Sequence, residues 1–334
     1  MTTVKHRETN LGLKVWSANK FLNESIPHPA PLLTPWLKER DQWMIYAAPG
    51  VGKTFFALNA AFAVASGGVF LMWKSPKPKR VLYVDGEMES YDTQDRLRGI
   101  VEAAKRDGNG DAAKGLTNFF GWAATYQAVG KKFPDLAKEN GLRALLHKVK
   151  ELRCDLVVID NLTTTMMSGD PNEARFWTPM QNALVELRKR GVAVILIHHA
   201  NKLGDQSGTA AKDVTLNGKM KLEQTGWVAD GASFQISWEK ARGLHGKDIP
   251  PIQATLEADE LGLPKWKHST LEHRAYELVR LAESGDFSSQ KELAEAMGVD
   301  KSRISQLKQR AIAFGLCSAR QFTAWLDSAR EPDF

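Results

Sequence analysis

The sequence predicts an α/β fold in which a mostly parallel sheet is flanked by helices, followed by a small all-α region. Short apolar runs alternate with helical periods from Trp43 onwards, which is typical of layered α/β proteins. The runs Met44–Ala47, Val81–Val84 and Leu156–Ile159 are apolar without alternation, as parallel strands covered on both faces are. An antiparallel sandwich would alternate. After a polar stretch at Pro264–Ser269, the rest of the chain has helical periodicity throughout.

The composition excludes several other classes of protein. Of the 334 residues, 43% are hydrophobic and 25% charged, so the chain is not collagen-like, coiled-coil or wholly disordered. The two cysteines, Cys154 and Cys317, are too few for a disulfide framework, and no Cys/His cluster has zinc-ligand spacing. The start contains no apolar signal core, and no apolar stretch approaches the roughly 18 residues of a membrane span. We expect a cytoplasmic protein that does not bind membranes.

Three parts are predicted along the chain: an N-terminal arm (residues 1–40), an α/β domain (41–267) and a C-terminal helical domain (268–334). The closely spaced prolines after Ile26 exclude a continuous helix or a central strand, so the arm is expected to lie over a neighbouring surface. The predicted strands, in order, are Trp43–Ala47, Arg80–Asp85, Leu116–Trp122, Leu156–Asp160, Val192–His198, Ser233–Trp238 and Ile252–Glu257.

The positive charge is unevenly divided between these parts. The whole chain has 45 Lys and Arg against 39 Asp and Glu, a net charge of +6. Residues 268–334 contain 9 basic and 10 acidic residues, so a net charge of +7 falls on residues 1–267. This excess suggests that the α/β domain contacts a nucleic acid.

A phosphate-binding loop is predicted between the first strand and the helix after it. Gly50 and Gly52 let the backbone turn and approach phosphate oxygens closely, and Lys53 supplies a mobile positive charge. Ala47 stands where the first glycine of the usual P-loop pattern would be. The expected ligands are ATP and Mg²⁺, and the residues predicted to contact the nucleotide are Ala48, Pro49, Gly50, Val51, Gly52, Lys53, Thr54 and Phe55.

The ends of two other apolar strands supply acids for this site. Asp160 ends one of them, next to Asn161, and with the Thr54 hydroxyl it is predicted to hold Mg²⁺ beside the P-loop. The run ending Asp85-Gly86-Glu87 supplies a base for water, for which we favour Glu87. Asp85 is the competing candidate and Glu89 a weaker one.

A pair of histidines ends the strand Val192–His198. A polar side chain at this position can contact a γ-phosphate, and for His199 we favour that role over metal binding; which of His198 and His199 contacts the phosphate stays open. Metal binding by both is disfavoured, because adjacent residues of a strand point to opposite faces.

Four motifs follow one another along the chain: the P-loop, Asp85-Gly86-Glu87, Ile159-Asp160-Asn161 and His198-His199. In this order they resemble the motifs of the RecA-like ATPases, and within them those of the plasmid RepA-type hexameric replicative helicases. The resemblance covers roughly residues 36–267. It implies that Glu87 is the catalytic base, that Asp160 holds magnesium, and that a histidine at the next strand end contacts phosphate. It also implies that Lys240 and Arg242, which match a Lys-x-Arg element, reach the γ-phosphate of a neighbouring subunit.

The same resemblance implies two loops that face a central channel, at Thr164–Glu173 and Lys202–Thr225. The second is basic and glycine-containing, which suits contact with the backbone of single-stranded DNA without sequence preference. An ordinary solvated loop is the alternative. The predicted DNA contacts in this loop are Lys202, Lys212, Lys219 and Lys221.

The C-terminal part resembles a helix-turn-helix. A capping serine in the pair Ser288-Ser289 begins one helix, Gly298 ends it, and after a turn a second helix follows at Arg303–Phe314. Four cations lie on that second helix within a segment of net negative charge, which favours DNA, duplex DNA among the options, over a purely structural bundle; contact with another protein is the alternative. The positions expected to face DNA are Lys301, Ser302, Arg303, Gln306, Lys308 and Arg310.

Together these features predict an ATP-hydrolysing, ring-forming DNA motor. It would be a hexameric, helicase-like replication protein of a mobile element. The main alternative is an ATP-switched DNA-binding regulator or helicase loader that does not unwind DNA. A P-loop kinase of a small molecule is a third possibility, but it leaves the C-terminal part unexplained.

Overall fold

The computed structural model describes residues 15–169, 174–200, 215–226, 228, 231–245, 248–313 and 316–329. Its strands are β1 (Pro31–Leu33), β2 (Leu37–Lys38), β3 (Gln42–Ala47), β4 (Val69–Phe70), β5 (Trp73–Lys74), β6 (Val81–Asp85), β7 (Phe119–Ala123), β8 (Leu156–Asp160), β9 (Ala193–His199), β10 (Gly218–Gln224), β11 (Ala232–Ala241), β12 (Ile252–Ala258) and β13 (Pro264–Thr270).

The helices connect these strands and form the end of the chain. They are α1 (Ala18–Leu22), α2 (Lys53–Ser66), α3 (Ser90–Arg106), α4 (Ala112–Asn118), α5 (Glu139–Leu152), α6 (Leu162–Thr165), α7 (Ala174–Lys189), α8 (Leu271–Glu283), α9 (Gln290–Ala296), α10 (Lys301–Ala313) and α11 (Ala319–Ser328). Within the described residues, no helix is both long and apolar enough to cross a bilayer.

One sheet organises the α/β part, and it confirms the predicted fold class. In the described part of the chain it has nine strands in the order β13-β12-β11-β10-β3-β9-β8-β6-β7. From β10 to β7 the neighbours are parallel, and from β13 to β10 they are antiparallel. Strands β3, β6 and β8 are buried along their whole length, which explains their unbroken apolar runs.

Strand β9 lies between the strand that precedes the P-loop and the strand that ends in Asp160. Asp160 therefore ends a strand that is not the direct neighbour of the P-loop strand. Residue Ala47 pairs with His199, and Asp85 pairs with Asp160. Because all these strands are parallel, their carboxyl ends still meet at one edge of the sheet.

Two apolar cores cover the faces of this sheet. One contains α2, α3 and a group of aromatic rings in contact, in which Trp36 lies edge-on to Trp43 with ring centroids 5.0 Å apart. The second lies under α5 and α7 and includes Trp177. Leu32, Leu33 and Trp36 are at most 1% exposed, so residues predicted to lie in an arm instead form part of the first core.

Two other predicted boundaries change. Residues 116–118 end α4 rather than begin a strand, and β7 starts at Phe119. The polar stretch Pro264–Ser269 is not a break between domains but most of the edge strand β13. Its side chains are polar because one face of an edge strand meets water, and proline is tolerated as its first residue.

The C-terminal helices α8 to α11 form a separate apolar core, built around Leu278, Leu307 and Phe322. The segment between α9 and α10 contains Gly298, which has a left-handed φ of 63°. This module contacts the sheet through a polar pair, because the Arg303 guanidinium of α10 donates a hydrogen bond to the side-chain amide oxygen Oε1 of Gln235 on β11. Both residues are buried.

Candidate functional site

The P-loop connects the end of β3 to the start of α2. Gly50 and Gly52 have φ angles of 79° and 109°, in the left-handed region that glycine adopts without strain. A Cβ atom at Gly52 would lie 2.8 Å from the Cβ of Ala232, so the loop packs tightly against the start of β11. Around Gly50 a Cβ would meet nothing within 4 Å. The backbone thus forms a cradle at a helix N-terminus, where N–H groups and the helix dipole favour an anion.

Lys53 folds back over this cradle. Its ammonium donates hydrogen bonds to the carbonyl oxygens of Ala47 at 3.1 Å and Ala48 at 2.8 Å. Burial lowers the pKa of Lys53, although the charges of Asp160 and Glu87 oppose that shift. A buried ammonium held by two neutral carbonyls gains a stronger partner when a phosphate enters the loop, so the residue fits a nucleotide.

Asp160 and Thr54 lie together below the loop. Asp160 is 2% exposed, and its carboxylate accepts hydrogen bonds from the Tyr83 hydroxyl at 2.6 Å and from the Thr54 hydroxyl. Burial raises the pKa of Asp160 to about 6, and the nearby carboxylates of Asp85 and Glu87 add to the shift. One hydroxyl and one carboxylate are the oxygen ligands that Mg²⁺ takes alongside phosphates, so this pair fits the ion.

Of the three candidate acids at and after the end of β6, Asp85 holds the turn that follows the strand. Asp85 is buried, and its Oδ1 accepts hydrogen bonds from the N–H groups of Glu87 at 3.1 Å and Met88 at 3.0 Å. Its Oδ2 accepts one from the Thr93 hydroxyl at 2.7 Å. Glu89 is the N-cap residue of α3. The turn shaped by Asp85 directs Glu87 toward the site, where its carboxylate accepts a hydrogen bond from the Asn161 amide.

The turn also explains the glycine between the two acids. A Cβ at Gly86 would lie 2.7 Å from Cγ2 of Thr165 and 2.8 Å from Oγ1 of Thr164. The N–H of Gly86 donates to the carbonyl oxygen of Asp160 at 2.8 Å. The turn that carries Glu87 is therefore packed directly on the strand end that carries Asp160.

The two adjacent histidines at the end of β9 point to opposite faces of the sheet. His198 is 1% exposed and lies in the interior, whereas His199 is at the rim of the site. The Nε2 atom of His199 is 3.0 Å from Nδ2 of Asn161 and 3.7 Å from Oε2 of Glu87. Burial and the charge of Lys53 lower the pKa of His199, against the opposing effect of Glu87. The structure thus brings His199, and not His198, next to Glu87.

Two residues contribute contacts to this site that were not predicted from the sequence. Tyr83, which holds the carboxylate of Asp160, lies two residues before Asp85 and therefore on the same face of β6. Asn161, which links Glu87 to His199, follows Asp160 directly. Asparagine after a strand is a common helix cap, so the sequence signal for a second role was weak.

Lys240 and Arg242 lie far from the P-loop of their own chain. The N–H of Arg242 donates to the carbonyl oxygen of Asn217, and the N–H of Asn217 donates to that of Gln42, at the start of β3. The P-loop follows the other end of β3, five residues further on, which places the Arg242 backbone roughly 16 Å away along the strand. An arginine side chain does not span that distance.

Of the four lysines predicted to contact DNA before β11, the structure describes two. Lys202 and Lys212 lie outside the described residues. The expectation that Lys219 and Lys221 belong to a flexible loop is wrong, because both lie on β10. Lys219 is paired with Glu239 at 3.3 Å and Lys221 with Glu223 at 3.7 Å, and the two side chains are 12% and 21% exposed. Both lysines are thus held in a strand and paired with acids, and neither belongs to a loop.

In the C-terminal module, the expectation that Arg303 faces a DNA groove is also wrong. The residue is 7% exposed and bonded to Gln235 and Gln306, because it shares the buried face of α10 with Leu307. Lys308 is half-buried, with its ammonium 4.9 Å from the centre of the Phe322 ring. The exposed or half-buried positions of the predicted set that remain are Lys301, Ser302, Gln306 and Arg310.

The chain matches one protein family and is similar to several solved structures. The AAA domain family matches residues 7–205. No curated protein sequence matches the chain. Among solved structures, it is similar to a KaiC-like protein from the hyperthermophilic archaeon Pyrococcus horikoshii OT3, with 15% identity, 70% of this chain and 93% of that chain covered, and a TM-score of 0.47. It is also similar to the RadB recombinase, with 17% identity, 67% and 90% covered, and a TM-score of 0.45.

Proposed function

Because the chain belongs to the AAA domain family, we propose that it is a RecA-like ATPase that works as a ring-forming DNA motor, a helicase-like replication protein of a mobile element. The observation that carries the proposal is the meeting of Lys53, Asp160 and Glu87 at one edge of the sheet. A phosphate cradle, a magnesium ligand and a water-directed carboxylate together suit hydrolysis of a nucleoside triphosphate.

Each residue has a distinct task in this proposal. Lys53 and the N–H groups of the P-loop bind the β- and γ-phosphates, and Thr54 and Asp160 hold the metal. Magnesium bound there would neutralise phosphate charge. Glu87 orients the attacking water and accepts its proton, while His199 contacts the γ-phosphate.

The placement of Arg242 supports action between subunits. In its own chain it lies at the sheet edge opposite the P-loop. We therefore propose that Arg242, with Lys240 beside it in sequence, completes the site of the neighbouring subunit, as an arginine finger supplied in trans does. Hydrolysis would then require an assembly, for which we propose a hexameric ring.

Mixing two inactive variants tests this division of the site. Lys53→Ala removes the phosphate contact and Arg242→Ala removes the finger, so each variant alone should hydrolyse ATP at well under a hundredth of the wild-type rate. An equal mixture should recover roughly one quarter of the sites, since half of the intact P-loops then meet an intact finger in a random ring.

In the matched control, the double variant K53A/R242A takes the place of Arg242→Ala in the mixture. Mixed with Lys53→Ala, it offers no intact P-loop, so the mixture should stay inactive. Full activity of Arg242→Ala alone, or no recovery on mixing, would remove the trans-acting role. Negative-stain microscopy with an ATP analogue and an oligonucleotide checks the ring directly, and a persistent monomer would contradict it.

The proposed motor contacts DNA through two parts of the chain. The net charge of +7 on residues 1–267 and the predicted lysines Lys202 and Lys212 support single-stranded DNA in the ring channel. Lys301, Ser302, Gln306 and Arg310 of α10 support a duplex contact. The motor predicts an ATPase rate stimulated at least severalfold by single-stranded oligonucleotide, with stimulation that falls as salt rises.

One observation favours an ATP-switched DNA-binding regulator or loader instead. Arg303, the third residue of α10, is held against the sheet by Gln235 rather than presented to solvent. A helix partly engaged within its own chain suits nucleotide-controlled binding. That alternative predicts slow turnover without stimulation by single strands, and nucleotide-dependent binding to one duplex sequence in a gel-shift titration.

A further inference from the structure

The side chain of Asn161 lies between the two polar side chains proposed to handle water and phosphate. It is 0% exposed and caps α6, its Oδ1 accepting a hydrogen bond from the N–H of Thr164 at 3.1 Å. Its Nδ2 donates to the carboxylate of Glu87 and is 3.0 Å from Nε2 of His199. One amide therefore joins the ends of β8 and β9 to the turn after β6.

The hydrogen-bond partners fix the orientation of this amide. A backbone N–H can only donate, so the atom facing Thr164 has to be the amide oxygen. The NH₂ group then faces Glu87, whose ionised carboxylate can only accept, which satisfies both partners.

The same orientation assigns the protonation of His199. Its Nε2 meets an N–H of Asn161 and therefore has to accept, so the neutral ring carries its proton on Nδ1. A hydrogen bond donated from Nε2 to a phosphate would first require this contact to Asn161 to break. Both N–H bonds of the amide are thus engaged, one with each neighbour.

We propose that Asn161 is a positioning residue that holds the carboxylate of Glu87 and sets the tautomer of His199, so that contact with phosphate and orientation of water are linked through one NH₂ group. The inference rests on the proposed ATPase function. The Glu87 side chain is 45% exposed and has several rotatable bonds, so without this hydrogen bond it would sample many orientations. Fixing one of them favours the attack geometry.

Two variants separate positioning from capping. Serine is as good an N-cap as asparagine, so Asn161→Ser keeps an oxygen for the N–H of Thr164 and removes the NH₂ group. Thr164→Val does the reverse: it removes the hydroxyl that completes the capping box and leaves the amide of Asn161 in place. The second variant is the matched control.

Steady-state ATPase assays on the full chain, with binding of a fluorescent ATP analogue, give the first measurement. Loss of a hydrogen bond to a charged group should lower the kcat of Asn161→Ser by roughly 10- to 100-fold. Analogue affinity should stay within about twofold, because the P-loop is untouched. Thr164→Val should keep kcat within about threefold. Equal losses of kcat in the two variants, or a normal kcat in Asn161→Ser, would overturn the positioning role.

Nitrogen NMR of histidine-labelled protein gives the second measurement and does not depend on turnover. In the wild type, the His199 resonances, assigned with a His199→Gln variant, should show an unprotonated Nε2. Asn161→Ser should shift them toward a mixture of tautomers, and Thr164→Val should not. An unchanged tautomer in Asn161→Ser would refute the link to His199. If the wild type hydrolyses no ATP, the proposed function fails, while this spectrum still decides whether Asn161 holds His199.

Discussion

Replacing Gln235 by leucine should loosen the C-terminal module from the sheet. The buried guanidinium of Arg303 would lose its acceptor on β11 and keep Gln306 Oε1 at 2.8 Å. Burial and the nearby charges of Arg274 and Arg310 already lower the pKa of Arg303, which means that its charged form is poorly stabilised where it lies.

The magnitude follows from that environment. A hydrogen bond to a charged group contributes about 1.5–3 kcal/mol, so Gln235→Leu should lower the local stability of the docked module by about 2–3 kcal/mol. Arg303→Met removes the charge and leaves only a neutral amide without its donor, which costs about 1–2 kcal/mol. The double variant Q235L/R303M replaces both partners by apolar groups and should lie within about 1 kcal/mol of the wild type.

Hydrogen exchange of the amides of α10, followed by mass spectrometry, measures this opening free energy locally. Urea unfolding of the same four proteins completes the double-mutant cycle, for which we expect a coupling of about 2 kcal/mol or more. Additive effects, or a loss below about 0.5 kcal/mol in Gln235→Leu, would refute the view that this pair holds the module in place.

Three further predictions concern other parts of the chain. Gly86→Ala should cost about 1–3 kcal/mol of stability and lower ATP turnover, because its Cβ would lie 2.7 Å from Cγ2 of Thr165; Gly121→Ala, where a Cβ meets nothing within 4 Å, is the control in thermal melts and ATPase assays. Lys79→Met should destabilise by about 1–3 kcal/mol, since the ammonium bridges Glu39 at 2.9 Å and Asp155 at 2.8 Å. Burial raises the pKa of Glu39, but the hydrogen bond from Lys79 outweighs it together with smaller effects, so the pKa is lowered. The stabilisation from this carboxylate is therefore present above its usual pKa of 4.5 and is lost as the pH falls below it. The difference in unfolding free energy between wild type and Lys79→Met should narrow in urea titrations below pH 4.5, and a constant difference would contradict this. Burial raises the pKa of the Cys154 thiol to about 12, so a disulfide reagent at pH 8 should modify this thiol only after unfolding. The Cys154→Ser variant identifies the signal from this thiol, and its rapid modification in the native protein would disprove its burial.

The apolar strands were predictable because burial on both faces leaves a clear pattern in sequence. Their order was not, since every buried parallel strand has the same composition. The insertion of β9 between β3 and β8 therefore emerged from the structure. The edge strand β13 was missed for the opposite reason, because its polar, half-exposed side chains resemble a loop.

Side-chain environment was the harder part of the site to predict. Arg303 has a cationic side chain but lies four residues before Leu307 and next to Ile304, a spacing that places it on the buried face of α10. Helical periodicity was the better guide there than charge. The contact of Asn161 with Glu87 joins residues 74 apart in sequence, and no local pattern encodes such a meeting.

The opposite placement of the P-loop and Arg242 also has a consequence for counting active sites. If Arg242 completes the neighbouring subunit's site as proposed, subunits that meet head to tail share one site at each contact, and an open chain of n subunits has a terminal P-loop that no finger completes. A closed ring has no such end. Activity per subunit would therefore rise as short assemblies grow and level off on closure, which makes ring closure itself a step that increases the number of working sites.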